Sequence, residues 1–241
     1  MTSERTAVIT QPTYLPWLGY FQQIARADVF VILDTVQFEK QSWQNRNRLK
    51  SASGETFWLT VPIAKQPLET LLLDVRIAPQ EQRWREKHLR SIQGALGRAP
   101  FFQEIFPRIE RWLRTPQEHL ADSNVSGIEL ICECLGLSPK TIRASQLTAR
   151  GSKAELVASI CREIGATRYL ANAGSRDYIE QDHHYFDDAG VGVEFQEWPH
   201  PTYAQQGPGF VSHLPAIDAL MNLGTAAVRT ILRSSPSQKP A

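Results

Sequence analysis

Residues 7–34 read Ala-Val-Ile-Thr-Gln-Pro-Thr-Tyr-Leu-Pro-Trp-Leu-Gly-Tyr-Phe-Gln-Gln-Ile-Ala-Arg-Ala-Asp-Val-Phe-Val-Ile-Leu-Asp. This stretch decides the fold class. Residues 7–10 form a short β-rich run, and Pro12 and Pro16 hold 11–19 as loop. Over 20–27, Phe21, Ile24 and Ala25 recur at helical spacing. The unbroken apolar run at 29–33 suits a strand buried on both faces. Strand, helix and strand make a βαβ unit, whose crossover is nearly always right-handed.

Working outward, 34–50 is a polar loop, 56–61 a strand closed by Pro62, and 71–77 a further strand candidate. Gly and Pro punctuate three helical patterns at 83–96, 101–113 and 123–135. Alternation then returns, with strands at 141–144, 168–171 and 191–198 and helices at 152–164 and 177–187. A last helix spans 214–232 with an interruption near Gly224. The pattern predicts an α/β fold: a mostly parallel Rossmann-like sheet with helices on both faces and a helical insertion. One domain over 1–232 is expected, with a helical lobe at about 79–135 and a flexible Pro/Ser-rich tail at 233–241.

Composition narrows the function classes. Twenty-six basic residues stand against 25 acidic ones, a net charge of +1, so there is no general polycation for DNA. Arg108, Arg111 and Arg114 share a helix face, but Glu104 and Glu110 lie among them, as on a solvated surface. No leader and no run of ~18 apolar residues is seen, so a cytoplasmic protein off the membrane is expected. Cys132, Cys134 and Cys161 are too few and too unevenly spaced for a zinc site or a disulfide framework, and read as buried free thiols. His183 and His184 are adjacent, not four apart, so they do not form a helical metal pair, and no metal is expected. The sequence has no P-loop, no G-x-G-x-x-G and no G-x-S-x-G elbow, which disfavours three large enzyme classes.

In a parallel sheet, ligands bind beyond the carboxyl ends of the strands. The first such loop carries Gln11, Tyr14, Trp17 and Tyr20, with Gly19 allowing close backbone approach. The second begins at Asp34 and packs Gln37, Trp43, Asn45, Arg46, Asn47 and Arg48 into a short span. Amides and guanidinium groups hold carboxylates, phosphates or sugar hydroxyls, and Trp43 can stack on a base or sugar face. Asp34 at a strand exit can contact a ribose hydroxyl or act as a base. Ser152 and Glu155 have capping-box spacing, and Lys153 beside that helix start suits a phosphate. Asn172 leaves another strand in amide and glycine chemistry, and His200 precedes Tyr203 at the exit of the last one. His200 is the preferred general base, with Asp34 and His88 as the other candidates.

Several of these pieces carry a resemblance. The 11–21 stretch, Asp28-Val-Phe-Val, Asp34-Thr-Val-Gln37 and Ser42-Trp-Gln-Asn-Arg-Asn47 resemble the WbqC-like family. Trp58-Leu-Thr-Val-Pro62, Lys87-His-Leu89, Gly151-Ser-Lys153, Tyr169-Leu-Ala-Asn172 and the 214–224 segment extend the likeness over most of 7–232. The chain departs from the family pattern at Ala171-Asn172 and at His200–Tyr203, where a small-residue/glycine pair and Tyr-Pro-Gln are commoner. The resemblance implies a step in surface-polysaccharide or natural-product biosynthesis. That step is an N-acyl or aminoacyl transfer to the amine of a nucleotide-linked amino sugar or other small amine. A thioester or ester donor is implied, with a carrier protein or aminoacyl donor as partner. A weaker likeness to nucleotidylyl-transferase folds keeps a second class open, an ATP- and Mg-dependent ligase, although Tyr20 stands where such a site wants histidine. A non-catalytic sugar-nucleotide binding protein is the third.

Overall fold

The computed structural model describes residues 4–80 and 83–234 of the 241. The chain begins β1 (Thr6–Thr10), α1 (Leu18–Ala25), β2 (Val29–Ile32), as the opening stretch predicts. A hairpin of β3 (Arg46–Lys50) and β4 (Thr56–Thr60) follows, then the helices α2 (Trp84–Leu96), α3 (Phe102–Arg114) and α4 (Leu120–Leu135). The second half runs β5 (Lys140–Arg143), α5 (Lys153–Glu163), β6 (Arg168–Ala171), α6 (Arg176–Gln181), α7 (His184–Ala189), β7 (Gly192–Phe195) and α8 (Ala216–Arg233).

Five strands form one sheet in the order β5-β2-β1-β6-β7, and every pairing in it is parallel. The fold is therefore a mixed α/β, Rossmann-like one. Strand periodicity explains the layers, because successive side chains point to opposite faces. Val8, Phe30, Ile32 and Leu170 face a core shared with α1, α2, α3, α4 and α8. Ala7, Ile9, Val29, Val31, Tyr169 and Ala171 face a second core under α5, α6 and α7. The chain builds outward from β1 through β2 to β5, then returns to β6 and β7 on the other side of β1. That reversal puts the switch point between β1 and β6, where a crevice opens beyond the carboxyl ends.

Several elements differ from the sequence reading. Helix α1 starts at Leu18, two residues early, because Gly19 is a helical residue. The Trp17 indole lies against it, and a Cβ there would sit 2.0 Å from the ring. Residues 71–77 are not a strand. They hold one 3₁₀ turn, Leu72–Asp74, and among the described residues pair only at single bridges, from Leu71 to Gln37, from Arg76 to His119 and from Ile77 to Ile63. The helix expected over 177–187 is two short helices, α6 and α7, separated at Asp182 and His183. Ser152 occupies the N-cap position of α5 but makes no side-chain capping bond, so the capping box is not formed. Instead Glu163 accepts the Thr148 and Ala149 N–H groups at 2.9 and 2.6 Å, and so anchors the loop before that helix. The three expected helices at 79–135 are α2 to α4, all packed on α8. The tail expected from residue 233 lies, from 235 onward, outside the described residues. Among the described residues no helix is long and apolar enough to cross a membrane.

Candidate functional site

The loop after β1 contains two prolines and has few backbone partners of its own, so buried amides supply them. Asn47 Nδ2 donates to the carbonyls of Tyr14 and Leu15, at 3.2 and 2.7 Å. Asn124 Nδ2 donates to Pro12 O and Gln44 O, at 3.0 and 2.8 Å. The Tyr14 N–H bonds Trp43 O at 2.9 Å, and Gln44 Nε2 bonds Gln11 Oε1 at 2.7 Å. The first and second sequence-predicted loops are thus bound edge to edge on one rim of the sheet.

Two cavities open on that rim. The inner one, about 480 Å³, lies at the β1/β6 switch point, lined by Thr10, Gln11, Gln23, Asn172, Gln196 and Trp198 among others. The outer one, about 410 Å³, adds Pro16, Trp43, Asn47 and Arg48. Thr13, Trp17, Tyr20 and His213 line both, so the two are chambers of one cleft. Each has the size of a small-molecule site. A larger depression, about 640 Å³, lies between α1, β7 and the end of α8. There Arg26 is paired with Glu194, and Arg176 with Glu180 and Glu197, so two of its cations already have carboxylate partners.

Trp17 and His213 stand in the wall between the chambers, and His200, which lines neither chamber, packs against both of them. His213 lies 4.7 Å from Trp17 and 4.7 Å from His200, ring centre to ring centre. His200 stacks on Trp17 at 5.9 Å and 17°. His200 Nδ1 donates to Pro201 O at 2.9 Å, which leaves Nε2 as the lone-pair nitrogen, buried and without a hydrogen-bond partner among the described residues. Burial lowers the pKa of both imidazoles. The neighbouring His213 adds to the effect on His200, and Arg48 adds to that on His213. His213 holds a left-handed backbone at φ 58°, as does Leu15 at 48°, two strained positions on the rim.

The remaining sequence-predicted residues divide by place. Tyr14 is fully buried, its hydroxyl 2.8 Å from Nδ1 of the buried His88, so both sit beneath the rim. Burial drops the His88 pKa to about 4 and pushes that of Tyr14 up. Asp34 is fully buried, and Ser145 donates to both of its oxygens, from N at 2.9 Å and from Oγ at 2.8 Å. Asn45 donates to Val61 O at 3.2 Å, and Gln37 to Leu68 O at 3.0 Å. Arg46 lies over the Trp58 ring at 4.1 Å. Lys153 is exposed at the start of α5 and lines neither chamber. Tyr203 is buried and donates to Asp218 at 3.0 Å. Gln11, Trp17, Tyr20, Trp43, Asn47 and Asn172 line the cleft.

Sequence reasoning missed Thr13, His213, Gln196 and Trp198, and did not single out Arg48. His213 had one available signal, a histidine just after the Gly-rich 205–210 segment and just before an apolar helix. The three thiols are buried and free, and burial pushes Cys132 and Cys161 up to about 12. Among the described residues no group of three or more His, Cys, Asp or Glu is placed to hold a metal ion.

The chain is 29% identical over 230 residues to the uncharacterized protein Rv1507c of Mycobacterium tuberculosis, covering 92% of this chain and 96% of that one. No solved structure matches it. A family model described as the WbqC-like protein family matches residues 11–230, from the first cleft loop to the last helix, and the chain belongs to that family.

Proposed function

We propose that the protein is a transferase that moves an acyl or aminoacyl group onto the amine of a small acceptor, a nucleotide-linked amino sugar. One observation carries this reading: an imidazole, His213, stands in the wall shared by two chambers of one cleft at the switch point, where the amine of a bound acceptor would meet a base. An attacking amine must lose a proton as its nitrogen bonds to the donor carbonyl carbon. The lowered pKa values of His200 and His213 favour the unprotonated form at neutral pH, the form a general base needs. His213 faces both chambers and takes the proton, and His200 packs against it with its ring tilted. The proton then passes to the departing thiolate or alkoxide as the carbon–heteroatom bond breaks. Asn172 and Gln11, each with an amide at the inner chamber, supply donors for the oxyanion of the tetrahedral intermediate.

The test is a mass-spectrometric screen of the purified protein with nucleotide-linked amino sugars and acyl or aminoacyl thioester and ester donors. An N-acylated product is expected. His213→Ala should then lower kcat by roughly 10²–10⁴-fold with little change in acceptor binding. The acid limb of the rate profile should lie below pH 6.5, since rate falls as the base protonates and both imidazoles are shifted downward. Equal loss of binding and turnover in His213→Ala would remove the imidazole from the chemical step.

A further inference from the structure

The inner chamber is lined by hydroxyls, amides, aromatic rings and a few aliphatic side chains, and among the described residues no Lys, Arg, Asp or Glu lines it. That is poor chemistry for a diphosphate and good chemistry for a neutral sugar, whose hydroxyls bond amides and whose faces stack on indoles. The usual phosphate seat of such a fold is the start of the first helix, where the backbone must be approached closely. Here the Trp17 indole covers it. Its ring carbons occupy the space beside Gly19, within 2.0 to 2.5 Å of where a Cβ would be.

The outer chamber differs. Arg46 and Arg48 lie two residues apart on β3, so they share the half-buried face of the hairpin. Arg48 lines the chamber and has no carboxylate partner among the described residues. Arg46 is held over Trp58. Trp43 and Trp58 are about half exposed, at 50% and 47%, with ring centres 5.6 Å apart. A half-exposed indole beside an unpaired guanidinium is the chemistry that takes a planar base joined to a phosphate.

We infer that the substrate lies across both chambers in a fixed direction, with its sugar at the switch point and its nucleoside diphosphate on the outer face of the β3–β4 hairpin. The base stacks on Trp43 and the phosphates meet Arg48. This orientation rests on the nucleotide-linked acceptor proposed above. It puts the sugar amine near the wall that carries His213 and leaves the nucleotide outside the crevice where dinucleotide folds hold it.

Calorimetric titration of the full chain with UDP, GDP, CDP and dTDP, and with inorganic pyrophosphate, tests the direction. Arg48→Gln and Trp43→Leu should each weaken the best-bound nucleoside diphosphate at least tenfold at an unchanged melting temperature. Asn172→Leu, in the inner chamber, should leave that affinity within about twofold. Pyrophosphate binding should be lost in Arg48→Gln and kept in Trp43→Leu. The opposite pattern, in which Asn172→Leu abolishes nucleotide binding and the hairpin variants keep it, would overturn the orientation and leave the nucleotide-linked acceptor standing. Absence of binding to all four nucleotides by the unmodified protein would overturn both.

Discussion

His88 and Asp218 are buried ionisable residues with opposite effects on stability. Burial depresses His88 from 6.5 to about 4. Its neutral ring accepts the Tyr14 hydroxyl at 2.8 Å and supports the first cleft loop from below. A depressed histidine contributes stability that is present above pH 6.5 and is lost as pH falls toward about 4. Asp218 is raised from 3.8 to about 6, because burial outweighs its contacts with Tyr203, Lys50 and Asn222. Its contribution is complete below 3.8 and is lost as pH rises through about 6. The two oppose each other between pH 4 and 6, and single variants separate them. In chemical denaturation, His88→Gln should remove roughly 3 kcal/mol of the acid-side loss of stability. Asp218→Asn should make the remaining rise with pH steeper. An unchanged pH profile in His88→Gln would mean that the ring is not held neutral. His88 and Asp34 show why residue type alone misleads. Each has the chemistry of a base, yet each is buried and spends it on a partner far away in sequence, Tyr14 for His88 and Ser145 for Asp34. Only tertiary contacts decide between those uses.

Among the elements, the strands of the main sheet were the most legible, because burial on both faces leaves runs such as 29–33 with no polar interruption. The start of α1 was less so: Gly19 read as the last residue of the loop and proved to be a helical position in close contact with Trp17. Gly224 read correctly as an interruption of α8. Its φ of 80° and ψ of 163° fall in a region essentially closed to other residues, and Phe101 fills the space a Cβ would need, at 2.7 Å. Gly224→Ala should therefore cost roughly 3 kcal/mol, read as a lowered denaturation midpoint at constant slope. A loss below about 1 kcal/mol, no more than a strain-free exchange produces, would show that α8 can straighten without penalty. The 71–77 segment misled for a different reason. Only Val75-Arg76-Ile77 alternates as in a strand, and Leu72, Val75 and Ile77 are spent on the core beneath the helices, all three buried. Alternation reports burial on one side and carries no information on whether a neighbouring strand is present.

For the whole molecule, the site is a product of topology. The 11–20 loop follows β1, Asn172 follows β6, and the sheet order makes those two strands neighbours. His213 arrives from a third direction, ahead of α8, where Ala216 N bonds Pro16 O at 2.8 Å and Trp17 bridges Pro215. The Gln11–Tyr20 and Trp43–Asn47 pieces were legible as a pair because they concentrate aromatics and amides at strand exits. Their division of labour was not legible, since Asn45 and Asn47 spend their amides on backbone carbonyls while Arg48, among the described residues, has no carboxylate partner. The third wall could not be joined to the other two from the sequence, because nothing local links residue 213 to residue 17. A crystal structure of the protein grown with the tightest-binding nucleotide-linked amino sugar tests this assembly most directly. Density should run from Asn172 and Gln11 at the carboxyl ends of β1 and β6, past His213, to Trp43 and Arg48. Density instead in the depression between α1, β7 and α8, beside Arg26 and Arg233, with the cleft at the switch point empty, would contradict it.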